Sequence, residues 1–442
     1  MTTLTIAIVV VFILGYACIA LESVTKVNKA AIALLMFVAT WTLFMMDPAS
    51  YIPNFSHELV NAIIEKHLGS TGTTLFFLMG AMTIVEIVDQ NGGFNFVRNA
   101  LRTTSKRRLL WRIVFMTFFL SAILDNMTTS IVMVMVLRKL VDDRQDRLMF
   151  ASLVIIAANS GGAFSPIGDV TTIMLWNKGL LTAQGVITEI FLPSLVSAVV
   201  PALIMQWMLK GQLDAPASSA VEEEETFTSR ERKTIFCLGV GGLCFVPIFH
   251  NLTSLPPFVG ILLVLGVLWT TIEIFYRKAR YRQDSMKRRV SRVLSRIDMS
   301  TILFFLGILM AVSCLEEIKV LELAGQWLND ISCGNHYLVT GIIGVISSIV
   351  DNVPLVAGCM GMYTDLVGDY AVDGLFWQLL AYCAGVGGSI LIVGSAAGVV
   401  VMGLERINFG WYMKKISWLV AVGYFAGIIA YWLQNYVVAM LH

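Results

Sequence analysis

Charged side chains are scarce in this chain of 442 residues. Asp, Glu, Lys and Arg make up 14% of it, whereas 57% of the residues are hydrophobic and the mean hydropathy is +0.77. A soluble core cannot hide that much apolar surface, so the composition excludes an ordinary water-soluble protein. Apolar runs recur along the whole chain rather than only at its start, which excludes a secreted domain behind a signal peptide. The sequence predicts an all-α polytopic membrane protein.

Cysteine motifs are absent as well. The seven cysteines show no Cys-x-x-Cys spacing and no pairing with histidine, and most of them lie inside apolar segments. This excludes the usual zinc and redox motifs, and we interpret the cysteines as small buried apolar residues. We expect no cofactor, no nucleic-acid partner and no enzymatic activity. The lipid bilayer is the expected environment.

Hydropathy predicts ten full spans, near 5–21, 29–46, 73–89, 149–176, 188–209, 234–250, 256–276, 299–315, 376–404 and 416–435. Two other apolar segments behave differently. Segment 111–137 has Lys and Arg on both flanks, so both of its ends should lie in the cytoplasm, whereas segment 338–363 has acidic flanks and should dip in from outside. Each is predicted to be a re-entrant helical hairpin. The basic loops 211–233 and 277–296 then fall inside. The loop 47–72, which has one Lys and no Arg, falls outside together with both chain ends.

The sequence contains an internal repeat. The residues SAILDNMT at 121–128 are echoed 226 positions later as SSIVDNVP at 347–354. The same offset relates ANSGGAFSPIGD at 158–169 to AGVGGSILIVGS at 384–395. Two separate matches that share one offset indicate a duplicated unit.

The two copies are predicted to be inverted, because one hairpin enters from the inside and the other from the outside. We place the first repeat at 1–210, a cytoplasmic linker at 211–233 and the second repeat at 234–442. Clustered Gly and Pro residues should break the spans 149–176 and 376–404. Inverted repeats with interrupted spans are typical of alternating-access transporters.

Aspartates inside apolar segments mark the candidate site. An ionised Asp at the bilayer centre costs at least about 2.5 kcal/mol, so each needs a partner or a function. At a hairpin tip, an Asp-Asn pair adds carboxylate and amide oxygens to free backbone carbonyls, which suits an alkali cation. The candidate cation- and proton-binding residues are Asp125, Asn126, Thr128, Thr129, Asn159, Asp169, Thr171, Thr172, Ser347, Asp351, Asn352, Ser389, Ser395 and Glu86. Those expected to hold a sodium ion directly are Asp125, Asn126, Asp169, Asp351 and Asn352.

The same carboxylates predict proton coupling. Burial disfavours a charged carboxylate and a bound cation favours it, so one carboxylate can hold either a proton or a sodium ion. Binding of one ion would expel the other, which is antiport. The two copies are not equivalent, because Asp169 in the first corresponds to Ser395 in the second. We therefore expect one main site near Asp125 and Asp169, closed from the other side by Asp351 and Asn352.

Several polar residues lie near span ends. Glu86 is as consistent with an interfacial position as with a functional one. Glu405, Trp411, Tyr412 and Trp418 are predicted to anchor the protein at the membrane interface. The acidic run 222–225 reads as part of a solvated linker.

The chain resembles the NhaD-type sodium/proton antiporters of the ion transporter superfamily over nearly its full length. The resemblance rests on NKAAIAL at 28–34, LDNMTT at 124–129, GGAFSPIGDVTT at 161–172, VDNVPL at 350–355 and GGSILIVGSAAG at 387–398. It implies export of Na⁺ or Li⁺ in exchange for H⁺, and an elevator-like fold with scaffold and transport subdomains. It also implies a homodimer and a place in the bacterial inner membrane.

Distant citrate and carboxylate carriers of that superfamily have Ser-Asn-Thr at the hairpin tips. Here Asp125 and Asp351 replace the serine, and Pro354 replaces the second threonine. An anionic tip would repel a carboxylate substrate, so the difference favours a cation as cargo.

Two alternatives stay open. A sodium-coupled carrier of a small anion or of arsenite could share the fold. An intramembrane aspartyl protease is disfavoured, because Gly168 and Asp169 are not part of a Gly-x-Gly-Asp run, no Tyr-Asp pair is present, and a protease does not explain a repeated Asp-Asn.

Overall fold

The computed structural model describes residues 3–20, 25–52, 56–93, 100–101, 103–209, 211–213, 228–278, 299–349, 352–364 and 366–441. The α-helices in this part of the chain are α1 (Thr3–Ala20), α2 (Lys29–Phe44), α3 (His57–Gln90), α4 (Lys106–Leu124), α5 (Asn126–Leu140), α6 (Arg144–Ala163), α7 (Val170–Asn177), α8 (Ala183–Met208), α9 (Ser229–Thr253), α10 (Pro257–Lys278), α11 (Met299–Glu317), α12 (Val320–Ser332), α13 (His336–Ser347), α14 (Asn352–Met362), α15 (Leu375–Gly387), α16 (Ala396–Glu405), α17 (Phe409–Lys415) and α18 (Ser417–Leu441). Short 3₁₀ helices lie at Pro48–Ser50 and Gly368–Tyr370. The predicted all-α fold is confirmed, and the protein is a multi-pass membrane protein.

Six of these helices, α3, α8, α9, α10, α11 and α18, are long and apolar enough to cross a bilayer. The predicted spans 5–21 and 29–46 correspond to the shorter apolar helices α1 and α2. The predicted span 73–89 is only the second half of α3, which begins at His57 within a segment interpreted from sequence as an external loop. That segment is helical because Ser56 caps it, accepting a hydrogen bond from the Leu59 amide at 3.1 Å.

Each segment predicted as a hairpin consists of two helices that pack against each other, α4 with α5 and α13 with α14. In the first, Asp125 alone separates the arms. In the second, residues 350–351 of the tip lie outside the described part of the chain. Entry of the two hairpins from opposite sides of the membrane stays a prediction.

The predicted spans 149–176 and 376–404 are each broken into two helices. Between Ala163 and Val170 the chain turns non-helical, and it does so again between Gly387 and Ala396. After each break the next helix has a side-chain cap at corresponding positions. Asp169 accepts from the Thr171 amide at 2.9 Å, and Ser395 accepts from the Gly398 amide at 3.1 Å.

Equivalent contacts hold each hairpin to its broken helix. Ser121 Oγ donates to the carbonyl of Ala158 at 2.6 Å, and Ser347 Oγ donates to the carbonyl of Ala384 at 2.9 Å. Both donors and both acceptors are related by the 226-residue offset of the sequence repeat. The duplicated sequence therefore uses the same hydrogen bond twice.

Two glycines allow each hairpin arm to lie close against its broken helix. A methyl group on Gly161 would lie 2.1 Å from the carbonyl oxygen of Phe118, and one on Gly387 would lie 2.1 Å from that of Gly344. These residues are again related by the same offset. Only glycine lets the hairpin arm pack against the broken helix at this distance.

The helices pack in two groups. One contains α1, α2, α3, α9, α10 and α11, and the other contains the hairpins, the broken helices, α8, α17 and α18. Each sequence repeat contributes helices to both groups. The groups meet where α11 packs on α14, where α9 packs on α4 and where α3 packs on α7. Helix α12 packs on α11, α13 and α14.

The two copies cross at the centre of the second group. There α5 packs on α16, α14 packs on α7, and α6 packs on α15. The tip of each hairpin consequently lies next to the broken helix of the other copy. This crossing brings together polar residues that are far apart in the sequence.

Candidate functional site

Asp169 lies at the centre of a buried hydrogen-bond network. Its side chain is 1% exposed, and its Oδ1 accepts from the amide and the hydroxyl of Thr171 at 2.9 and 2.8 Å. Asn126 Nδ2 donates to Asp169 Oδ2 at 2.8 Å, and Asn352 Nδ2 donates to Oδ1 at 3.3 Å. Because Asn126 and Asn352 begin the second arms of the two hairpins, this one carboxylate connects both hairpin tips.

Asn159 joins the same network from α6. Its fully buried amide nitrogen donates to Ser389 Oγ at 2.7 Å and to Ser395 Oγ at 2.8 Å. Its Oδ1 accepts from Asn126 Nδ2 at 3.0 Å. Both serines lie in the non-helical break between α15 and α16, so Asn159 links the two broken helices to each other.

Asp125 is close to this network but has different partners. Its Oδ1 and Oδ2 accept from the amide and the hydroxyl of Thr128, both at 2.8 Å, so the carboxylate caps α5. The backbone of Asp125 has φ 77° and ψ 157°, a conformation that is essentially confined to glycine and costs another residue about 1–3 kcal/mol. Strain of this kind clusters at functional sites. Here the backbone conformation of Asp125 turns the chain within a single residue, so that Asn126 can begin α5.

Two buried threonines keep free hydroxyls near the network. Thr129 and Thr172 are fully buried, and their Oγ1 atoms have no hydrogen-bond partner among the described residues. Other helical hydroxyls bond to the carbonyl four residues earlier, as in Thr40, Thr83 and Ser130. Buried hydroxyls without a described partner also occur elsewhere, at Thr117, Ser194 and Ser417. What distinguishes Thr129 and Thr172 is their position, one helical turn beyond Asn126 and Asp169.

Seven of the predicted site residues have no described hydrogen bond to the network. Thr129 and Thr172 have no described side-chain partner, and the side chains of Asp125 and Thr128 bond to each other. Ser347 donates to the Ala384 carbonyl and so holds its hairpin in place. Glu86 accepts from Gln90 Nε2 at 2.6 Å on the same helix, α3. Asp351 lies outside the described residues, so its role stays a prediction.

The prediction that Tyr412 lies in an interfacial aromatic belt is wrong. Tyr412 is fully buried, and its hydroxyl donates to the backbone carbonyl of Ser389 at 2.9 Å. It therefore supports a residue that contacts Asn159. An aromatic residue near a span end has the composition of a belt residue whichever way its ring turns, so the sequence carried no signal for this contact.

The prediction that Glu405 is an interfacial anchor is also wrong. Its side chain is 2% exposed and forms ion pairs with Arg138 at 2.6 Å and with Arg147 at 2.8 Å. These arginines belong to the first repeat and Glu405 to the second. Two guanidinium groups compensate the buried charge, which is why a carboxylate is tolerated there.

The network suits the binding of a cation or a proton. It combines two neighbouring carboxylates with amide and hydroxyl oxygens, and the hydrogen-bonded side chains named above include no basic residue. An amide turned by half a rotation exchanges its nitrogen for its oxygen. The same asparagine can thus donate to a free carboxylate or offer an oxygen to a cation beside it.

A polytopic helical protein with a buried polar site between two hairpins and two broken helices has the architecture of a secondary transporter. Comparison with known proteins agrees. The family described as "Citrate transporter" matches residues 9–379, and the chain belongs to that family.

Among its relatives, Sodium/proton antiporter 1 of Arabidopsis thaliana is 44% identical over 96% of this chain and 72% of the relative. Sodium/proton antiporter 2 of the same plant is 41% identical over 95% of this chain and 97% of the relative. The Na⁺/H⁺ antiporter NhaD of Alkalimonas amylolytica is 30% identical over 96% and 90% of the two chains. The resemblance to NhaD-type antiporters is therefore confirmed.

Proposed function

We propose that this protein exchanges Na⁺ or Li⁺ for H⁺ across the membrane, with Asp169 as the carboxylate that holds either ion. The observation that carries the proposal is the position of Asp169, whose carboxylate accepts from Asn126 of one hairpin and Asn352 of the other. A change of the ion bound at this carboxylate would therefore alter its hydrogen bonds to both hairpin tips. The names of the sodium/proton antiporter relatives support the same exchange.

In this proposal, a cation competes with the amides of Asn126 and Asn352 for the carboxylate oxygens of Asp169. Asn126 and Asn352 donate to the carboxylate oxygens, so a cation that approaches these oxygens has to displace the amide donors. When a cation enters beside Asp169, the two amides turn their oxygens towards it, and the hydroxyls of Thr129 and Thr172 are free to join. A proton on the carboxylate removes the charge that attracts the cation, so the two ions compete.

Asp125 supports the site from a short distance. It holds Thr128 and the strained tip in place, and its charge adds to the negative potential that a cation experiences. Asp351 is proposed to do the same for the second tip. The main site is then asymmetric, with Asp169 in one copy and a neutral Ser395 in the other.

Alternating access would come from movement of one helix group against the other. The group that carries the hairpins and broken helices contains the site, and it packs against the other group through α14, α4 and α7. We propose two inverted repeats, 1–210 and 234–442, an elevator-like motion of the site-bearing group, and a homodimer. We also propose the bacterial inner membrane as the location, supported by the bacterial NhaD relatives, although the family extends to plants.

Transport of a small anion is the competing function, and the description of the family as citrate transporters favours it. A polycarboxylate would have to approach the carboxylates of Asp125 and Asp169, whose described side-chain partners are asparagines and threonines. Like charges in a low-dielectric site repel strongly. The chemistry of this site therefore favours a cation.

Purified protein in proteoliposomes with an internal pH-sensitive dye tests the proposal. Addition of Na⁺ or Li⁺ to the outside should drive proton movement, whereas K⁺ should not, and labelled citrate should not accumulate with or without a sodium gradient. Sodium-dependent citrate uptake without cation-driven proton movement would establish the anion carrier instead.

A further inference from the structure

Gly385 of α15 lies beside the carboxylate of Asp169. A methyl group in place of its hydrogen would lie 3.6 Å from Asp169 Oδ2, which is ordinary van der Waals contact. The same methyl would lie 3.2 Å from the Cβ of Ala163, so Ala163 would have to give way by a few tenths of an ångström. The glycine thus leaves a space of about one methyl group next to the carboxylate.

Helix packing does not explain this glycine. A methyl group on its neighbour Gly387 would meet a backbone carbonyl at 2.1 Å, so that position requires glycine for the approach of the hairpin. At Gly385 the two nearest atoms belong to the side chains of Ala163 and Asp169, at 3.2 and 3.6 Å, and the nearest backbone atom is the Ala163 Cα at 3.7 Å, so a small shift suffices. An alanine could be built there with little rearrangement.

The sequence repeat shows what else could occupy this position. Gly385 is the counterpart of Asn159 at the 226-residue offset. In the first copy the amide of Asn159 fills the corresponding position and bonds to Ser389 and Ser395. In the second copy no side chain is present, and the Asp169 carboxylate borders the space instead.

We propose that Gly385 determines the size of the cation that Asp169 accepts. The inference rests on the proposed exchange of a cation for a proton at Asp169. A cation must share this space with the ligand oxygens, and a methyl group would narrow it from the α15 side. Li⁺ is smaller than Na⁺, so the narrowed site should disfavour Na⁺ more than Li⁺.

Gly385→Ala in proteoliposomes tests this directly, with proton movement driven by Na⁺ and by Li⁺ measured separately. One methylene in a hydrophobic pocket changes discrimination by about tenfold or more, and by the same factor the Na⁺ concentration for half-maximal exchange should rise about tenfold relative to that for Li⁺. The matched control is Gly358→Ala on α14, where a methyl group meets nothing within 4 Å, and it should leave both values unchanged.

Ala163→Gly provides the opposite perturbation, because it removes the Cβ on the far side of the same space. It should weaken the preference for Li⁺ and Na⁺, taken together, over K⁺. Combined with Gly385→Ala, it should restore the normal ratio of the Na⁺ and Li⁺ concentrations for half-maximal exchange. This second variant decides the matter if Gly385→Ala does not fold.

The inference is overturned if the normal protein exchanges both ions but the ratio of the Na⁺ and Li⁺ concentrations for half-maximal exchange is the same in Gly385→Ala and in Ala163→Gly. That result would leave the proposed exchange intact. Absence of cation-driven proton movement in the normal protein would instead overturn the proposed function itself.

Discussion

Asn159→Ala is expected to destabilise the protein and to weaken cation binding, although Asn159 carries no charge. Its amide accepts from Asn126 and donates to Ser389 and Ser395. Alanine removes all three contacts at a position with no exposure to solvent. The connection between the two broken helices is lost with them.

The expected cost can be worked out contact by contact. Asn126 retains its bond to Asp169, and Ser395 retains the bond from the Gly398 amide, so neither loses every partner. The Ser389 hydroxyl loses its described partner, which costs about 1–3 kcal/mol for a buried polar group. The cavity left by the deleted amide adds to this, and we expect about 2–4 kcal/mol in total.

The assay is thermal unfolding of the purified protein in detergent, run beside Asn61→Ala. Asn61 is exposed on α3, so its variant controls for loss of an asparagine side chain without loss of the network. Asn159→Ala should unfold at a clearly lower temperature than Asn61→Ala, and it should need more Na⁺ for half-maximal exchange because Asn126 is less well positioned. Equal unfolding temperatures for the two variants would refute the reasoning.

Three further outcomes are expected. Gly387→Ala, whose methyl group would meet the Gly344 carbonyl, should prevent normal folding or insertion, measured as the yield of monodisperse protein in detergent, whereas Gly358→Ala should give a normal yield. The Na⁺ concentration for half-maximal exchange should rise by up to about tenfold for each unit fall in pH, since one proton and one cation compete for one carboxylate, and a value that is independent of pH would contradict competition. Glu405→Ala should destabilise the protein by about 1–2 kcal/mol and so lower its unfolding temperature, because Arg138 and the mostly buried Arg147 lose their partner. Glu405→Gln keeps a hydrogen-bond acceptor there and should lose less stability.

The starts and breaks of the helices around the candidate site can be predicted from the sequence, because their signals are local. The repeated Asp-Asn marks the start of α5 and α14, and Asp169 and Ser395 precede the helices that they cap. Gly and Pro interrupt the broken spans where they cluster, and the offset between the copies identifies equivalent positions. These features follow from backbone conformation and capping chemistry, which a short stretch of sequence contains.

Side-chain partners could not be predicted in the same way. Asn159 and Ser389 are 230 residues apart, and their contact depends on how α6 packs on α15. The burial of Tyr412 and Glu405 likewise depends on neighbours from other parts of the chain. Hydropathy records which residues tolerate water, but it does not record which face of a helix another helix will cover.

Two helices were missed for a related reason. The segment around His57 and the helix Val320–Ser332 lie in stretches that do not read as spans, and the distribution of Lys and Arg places both stretches outside. In α12 the apolar residues lie on one stripe, with Leu323, Trp327 and Ile331 all exposed in the isolated chain. An amphipathic helix of this length has too little total hydropathy to register as a span.

The most direct test of the central role of Asp169 is proton movement driven by Na⁺ in proteoliposomes of Asp169→Asn. Asparagine caps a helix about as well as aspartate, so α7 should stay intact and the unfolding temperature should stay close to normal. The charge that a cation requires is gone, however, and we expect exchange driven by Na⁺ and by Li⁺ to be abolished. Full cation-driven proton movement in a normally folded Asp169→Asn variant would contradict the account.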